Sequence, residues 1–185
     1  YSYFRKLMVQ VNDVVGIVPR NLSGLKVFSI EMHHKMVSQA LPGDNVGINI
    51  KGLEKKNMPK VGDVMYIQKE NILKPVKEFR AQVVVQEHPG QLKIGYSPLI
   101  HVRTSKASCK MTQILWKTNK KSGGEKIENP PFLEAGDAAE VVFEPKQGLY
   151  LESYENCPGI GRIAVMDSNQ LAMMGKVLEV EYDTN

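Results

Sequence analysis

His33 and His34 stand side by side and are the only concentration of imidazole in the 185 residues. Such a pair could bind a metal or shuttle protons only if both rings converged on one point. On an extended segment neighbouring side chains point to opposite faces, so neither metal binding nor catalysis is expected of them. The two cysteines, Cys109 and Cys157, lie in no CxxC or CxxH spacing, which argues against a structural zinc and fits a reducing compartment. A GxxxxGK[ST] phosphate loop is missing, and Gly159-Ile160-Gly161 falls between strand-like runs rather than opening a helix. No catalytic residue, metal site or cofactor is therefore expected in this chain.

The remaining chemistry is cationic. Lys110, Lys117, Lys120, Lys121 and Lys126 flank the loop KTNKKSGGEK beside Trp116, the single tryptophan. Lys117, Lys120 and Lys121 are candidate phosphate contacts, while Trp116 could stack on a base. Because tryptophan is usually largely buried, its ring is expected to face inward. Met166, Met173 and Met174 read as packing residues. The net charge of +4 hides an asymmetry: residues 1–76 carry 11 Lys/Arg against 6 Asp/Glu, residues 77–121 carry 9 against 2, and residues 122–185 carry 4 against 12. Two thirds of the chain can thus present basic surface, and charge alone does not prove a nucleic-acid partner.

The elements that must position these residues are strands. Phe79, Ala81, Val83 and Val85 alternate with Arg80 and Gln82, and Val46, Ile48 and Ile50 alternate with Asn45, Asn49 and Lys51. Further runs are GLKVFSIE, GDVMYIQ, SPLIHVRT, CKMTQILW, GLYLES, GRIAVMD and KVLEVEYD, separated by Pro- and Gly-rich turns. No window carries a helical stripe. The reading is an all-β chain of two consecutive β-barrels, closed to protect their edges. The polar stretch Lys69 to Lys77, with Pro75 inside it, divides the chain near 1–73 and 77–185. Tyr1 opens in strand-like sequence, so a missing first strand and a larger parent protein are expected. No run approaches the ~20 apolar residues of a membrane span, and no signal peptide is recognisable; a soluble, cytoplasmic protein with no membrane partner is expected.

From Ser29 to Gly52 the chain reads SIEMHHKMVSQALPGDNVGINIKG, which strongly resembles the second domain of elongation factor 1-alpha, whose bacterial cousin is elongation factor Tu. AQVVVQEHPGQLKIGYSPLIHVRTSKASCK, KKSGGEKIENPPFLEAGDAAEVVFEP, LESYENCPGIGRIAV and Gly175-Lys176-Val177 resemble the third domain. The resemblance implies the β-barrel pair of a GTPase that delivers aminoacyl-tRNA to the ribosome. GTP and magnesium would belong to a nucleotide domain preceding these residues, and a guanine-nucleotide exchange factor would be a partner. Matching positions place Glu31, His34, Lys35 and Asn49 at the tRNA 3′ end, and Arg162, Asp167, Asn169 and Gln170 at the T stem. A carboxylate that accepts hydrogen bonds from a ribose or base edge is reasonable RNA chemistry.

Two departures qualify the resemblance. Met166, Asn169 and Leu171 stand where the family carries an arginine, a basic residue and a threonine, and each lost phosphate contact lowers the salt dependence of binding by about one unit of slope. At the start, the family's GRVETG word aligns with Ser2 to Leu7, with neither glycine kept. These departures leave an alternative open: a GTPase-free paralogue acting as a structural or interaction module on actin or another protein assembly.

Overall fold

A computed structural model describes residues 8–69, 74–86, 90–119 and 123–183. The chain divides into two compact units, residues 1–73 and 74–185. The described residues form strands, turns and irregular segments, with one 3-10 turn at Lys55–Asn57 as the single helical element among them. Both units are thus all-β.

In the first unit the strands are β1 (Val9–Gln10), β2 (Val14–Val18), β3 (Leu22–Met32), β4 (Lys35–Val37), β5 (Gln39–Ala40), β6 (Gly47–Lys51) and β7 (Val64–Ile67). Long β3 organises them. It pairs with β2, β4 and β6, while β7 pairs with β2. Val15, Ile17, Leu25, Val27, Ile30, Ala40 and Ile67 form the buried core, with Ile48, Ile50 and Met65 only partly covered. Among the described residues this sheet is a half-barrel rather than a closed one.

The second unit contains β8 (Val76–Val85), β9 (Leu92–Lys93), β10 (Leu99–Val102), β11 (Ser105–Thr118), β12 (Ile127–Glu128), β13 (Phe132–Leu133), β14 (Ala138–Pro145), β15 (Arg162–Asp167) and β16 (Gln170–Tyr182). The order β10-β15-β16-β8-β14-β11 closes through the β10–β11 pair into a six-stranded barrel. Alternation explains why. Phe79, Ala81, Val83 and Val85 of β8 are each at most 1% exposed, while Arg80 and Val84 face out. Bulges in β11 and β16 add the local bend that a small barrel needs. At Gly175 an added Cβ would lie 2.3 Å from the Gln82 carbonyl oxygen, so only glycine lets β16 approach β8 this closely.

The run GLYLES does not form a strand. Leu149, Tyr150 and Leu151 are buried in irregular backbone that leads into β15. Buried Glu152 holds this segment: its carboxylate accepts from the Ser153 N–H at 2.7 Å, Asn156 Nδ2 at 3.3 Å and the Tyr182 hydroxyl at 3.0 Å. The segment's backbone groups are met outside a ladder, the Leu149 carbonyl accepting from the Val76 N–H, the Leu151 carbonyl from the Tyr182 hydroxyl and the Glu152 carboxylate from the Ser153 N–H.

Candidate nucleic-acid interface

Glu31 lies near the end of β3, directly across from Gly47 on β6 and Met36 on β4. Ser29 lies opposite Asn49. These polar groups share the outer face because β3 carries a bulge between Val27 and Ser29: Val27 and Ile30 both point inward, and Ser29 and Glu31 are left outward. Ser29, Glu31, Asn49, Met36, Leu53 and Met58 line an open groove of about 600 Å³. The groove therefore offers a carboxylate acceptor, an amide with both functions and a hydroxyl, flanked by thioethers.

His33 and His34 are not extended. Their φ values of 51° and 61° make them the two central residues of the tight turn joining β3 to β4, closed by the Met32–Lys35 pair. This corrects the reading of opposite-facing neighbours. His34 Nδ1 lies 3.4 Å from Glu31 Oε1, on a fully exposed side chain. Glu31, Asn49 and His34 are thus gathered by one hairpin and its neighbour strand, and exposed Lys35 opens β4 next to them.

In the second unit, the four residues expected to act together are split. Arg162 begins β15, whereas Asp167 ends it, Asn169 lies in the turn that follows and Gln170 opens β16 opposite Asp167. At ~3.3 Å per residue the two groups are roughly 17 Å apart. Ser168 and Asn169 have φ of 47° and 66°, so Asn169 has a backbone reason to be there: asparagine tolerates the left-handed turn better than most residues. Asp167 accepts from the Tyr96 hydroxyl at 3.1 Å, and burial, reinforced by that carboxylate, raises the Tyr96 pKa. Met166 and Leu171 face each other across the same hairpin as half-buried packing residues.

Around Arg162 the structure assembles a different set. Arg162 Nη2 donates to the Tyr154 hydroxyl at 2.8 Å, and its guanidinium lies 5.1 Å from the centre of that ring. That hydrogen bond, with the charge of Arg162, lowers the Tyr154 pKa. Lys176 pairs opposite Arg162. Arg103 Nε donates to the Gly159 carbonyl at 2.9 Å. His101, Arg103, Gly159, Arg162 and Met174 line a cavity of about 510 Å³. Sequence reasoning passed over Arg103 and His101. Arg103 sits in the left-handed region at φ 52°, in the two-residue turn between β10 and β11, where a non-glycine residue is uncommon. The signal was present in the VRTS turn, but nothing in the sequence said that the Pro158-Gly159 loop would come to meet it.

The lysine cluster is corrected. Lys117 is buried, its ammonium donating to Asp137 Oδ2 at 2.9 Å and to the Phe132 carbonyl at 3.0 Å, 4.7 Å from the Phe132 ring centre. It is not available to a phosphate. Burial opposes the charged Asp137 carboxylate, but hydrogen bonds from Asn119, the Glu134 N–H and Lys117 outweigh it and hold the pKa below its ordinary value. Trp116 points outward, not inward: bulges in β11 reset the alternation, its Nε1 donates to Glu140 Oε2 at 2.9 Å, and Lys126 lies 4.2 Å over its ring. Lys120, Lys121 and the segment Ser2 to Leu7 lie outside the described residues.

Cys109 is buried and its thiol pKa is pushed up to about 12 by burial, so it is an inert packing residue. Among the described residues, no group of three His, Cys, Asp or Glu side chains is arranged to hold a metal, and no helix is long and apolar enough to cross a membrane.

These features coincide with clear kinship. The family described as GTP-eEF1A C-terminal domain-like matches residues 78–178. Elongation factor 1-alpha of Methanocella arvoryzae is 43% identical over 156 residues, covering 84% of this chain and 36% of the relative. The elongation factor 1-alpha of Archaeoglobus fulgidus is 38% identical over 173 residues, covering 94% and 40%. That of the eukaryote Serendipita indica is 38% identical over 174 residues, covering 94% and 37%. The crystal structure of sup35 complexed with GDP superposes with a TM-score of 0.82 at 24% identity, over 94% of this chain and 42% of that one, which speaks to the fold. The chain spans about two fifths of the length of the curated relatives it matches. With the matched C-terminal domain covering more than half of its residues, the chain belongs to the elongation factor 1-alpha family.

Proposed function

We propose that this chain is the aminoacyl-tRNA-binding part of an elongation factor 1-alpha-type GTPase, working with the ribosome and a guanine-nucleotide exchange factor in the cytoplasm. The first unit takes the aminoacylated 3′ end in the groove of Glu31, Asn49 and Ser29, with His34 and Lys35 at its rim. The second unit holds tRNA backbone phosphates through Arg162 and Arg103, with Lys176 beside them and the turn Asp167, Asn169 and Gln170 as a separate contact.

The observation that carries this reading is the outer face of the first unit. A bulge in β3 lets the Glu31 carboxylate, the Asn49 amide and the Ser29 hydroxyl line one solvent-open groove, and a tight turn sets the His34 imidazole 3.4 Å from that carboxylate. Acceptors and donors arranged that way suit a ribose and a base edge. The exposed arginines suit phosphate oxygens through charge-assisted bonds.

The chemistry of the whole protein is assigned elsewhere. The sequence has no phosphate loop, and no residue here is given a role toward GTP or magnesium. The chain binds and positions; hydrolysis belongs to the nucleotide domain of the longer protein.

Titrating the chain with aminoacyl-tRNA and with the same tRNA deacylated, at several salt concentrations, tests the proposal. A carrier binds the charged form more tightly and shows a negative slope of log affinity against log salt. Equal binding of the two forms removes the aminoacyl-end reading and leaves only a basic surface.

A further inference from the structure

Phe28 is the extra residue of the bulge in β3, between the pairs Val27–Ile50 and Ser29–Asn49. Val27 fills the core, and Phe28 turns out to solvent with 51% of its surface exposed. A single exposed apolar side chain is ordinary on a protein surface, so it is the surroundings of this ring that suggest an occupant. Lys51 Nζ lies 3.9 Å from the ring centre, and Lys26 pairs directly opposite Lys51 in the ladder. Like charges facing each other across a ladder are unfavourable, and an anion between them relieves the repulsion. Asn49, two residues before Lys51 on the same face, lines the groove of Glu31, which puts the ring about 7 Å along the strand from that groove.

An exposed aromatic ring with one ammonium over it and a second lysine across the ladder, one step from a groove of hydrogen-bonding groups, suits a single-stranded nucleotide: the base stacks and the ammonium groups take the phosphate. Lys51 covers part of the Phe28 ring, and half of the residue's surface remains exposed to meet a base. We propose that Phe28, with Lys26 and Lys51, forms a second nucleotide subsite on the outer face of the first unit, stacking an unpaired base next to the one held at Glu31. The inference rests on the RNA-end reading of the groove and adds to it a residue and a stacking step. An acidic or apolar protein segment would meet the same ring, and substitutions at Phe28 separate the cases.

The test uses a hairpin RNA with four unpaired 3′ nucleotides and the same hairpin made blunt, each titrated by fluorescence anisotropy. Phe28→Ala is expected to weaken binding of the overhanging RNA about tenfold and to leave the blunt RNA unchanged. Phe28→Trp restores the affinity and Phe28→Leu does not, since stacking needs a π face. Unaltered thermal melting of Phe28→Ala, whose side chain is exposed, excludes loss of fold as the cause. If Glu31→Ala abolishes the preference for the overhang while Phe28→Ala binds like the parent, the stacking subsite is wrong and the groove reading stands. If Phe28→Leu binds like the parent, the ring is a general apolar dock and the inference is overturned. If the parent shows no preference for the overhang, the groove reading falls and the subsite with it.

Discussion

Lys117 in the second unit and Lys51 in the first are both long cations held near an aromatic ring, 4.7 Å from Phe132 and 3.9 Å from Phe28. Their settings are opposite. Lys117 is buried in the closed barrel, and its charge is matched by Asp137, itself held by Asn119 and the Glu134 N–H. Lys51 is exposed at the end of β6 on a half-barrel, with another lysine across the ladder. A residue type and a ring nearby therefore do not distinguish a structural cation from one that can meet a ligand. Burial and the presence of a fixed carboxylate do.

The largest expected effect breaks the buried pair. Asp137→Ala strands the Lys117 ammonium away from water and should cost the second unit about 3–5 kcal/mol. Trp116 lies in that unit and is the only tryptophan, so fluorescence-monitored denaturation reads the loss directly. Acid should do the same reversibly. The Asp137 pKa is lower in the folded state than in the unfolded chain, so its stabilisation is present in full above about pH 4 and is lost as the pH falls through the folded value. In Asp137→Ala that acid-dependent part should be gone. The counterpart substitution, Lys51→Ala, should cost the first unit no more than about 0.5–1 kcal/mol, the worth of an exposed cation–π contact, when followed by hydrogen exchange. A large loss there would make Lys51 structural and erase the contrast.

Legibility in the sequence followed how local each determinant was. The strand from Phe79 to Val85 could be read because period-two alternation is written into consecutive residues. The outward turn of Trp116 and the exposure of Phe28 could not, because a bulge inserts one residue and reverses the alternation without leaving a compositional mark. The paired histidines were misread as extended for a related reason: positive φ at His33 and His34 is imposed by the tight turn between β3 and β4, and histidine is not a residue that announces it. Glu31 and Asn49 were singled out through resemblance, and ladder register then explained why they are neighbours. Arg103 went unnoticed because its partner, the Gly159 carbonyl, lies 56 residues away. Lys117 was assigned to phosphate because sequence shows a charge but not the carboxylate buried against it.

The central claim divides the work between the units: the first reads the RNA end and the second supplies phosphate contacts. The most direct measurement is the affinity for aminoacyl and deacylated tRNA, across a salt series, of the parent, of Glu31→Ala and of Arg103→Ala combined with Arg162→Ala. The account predicts that Glu31→Ala removes the preference for the aminoacylated end and leaves the salt slope unchanged, while the double arginine substitution lowers the slope by about two units and keeps the preference. The account is contradicted if Glu31→Ala keeps the preference intact, or if the double arginine substitution leaves the slope where it was.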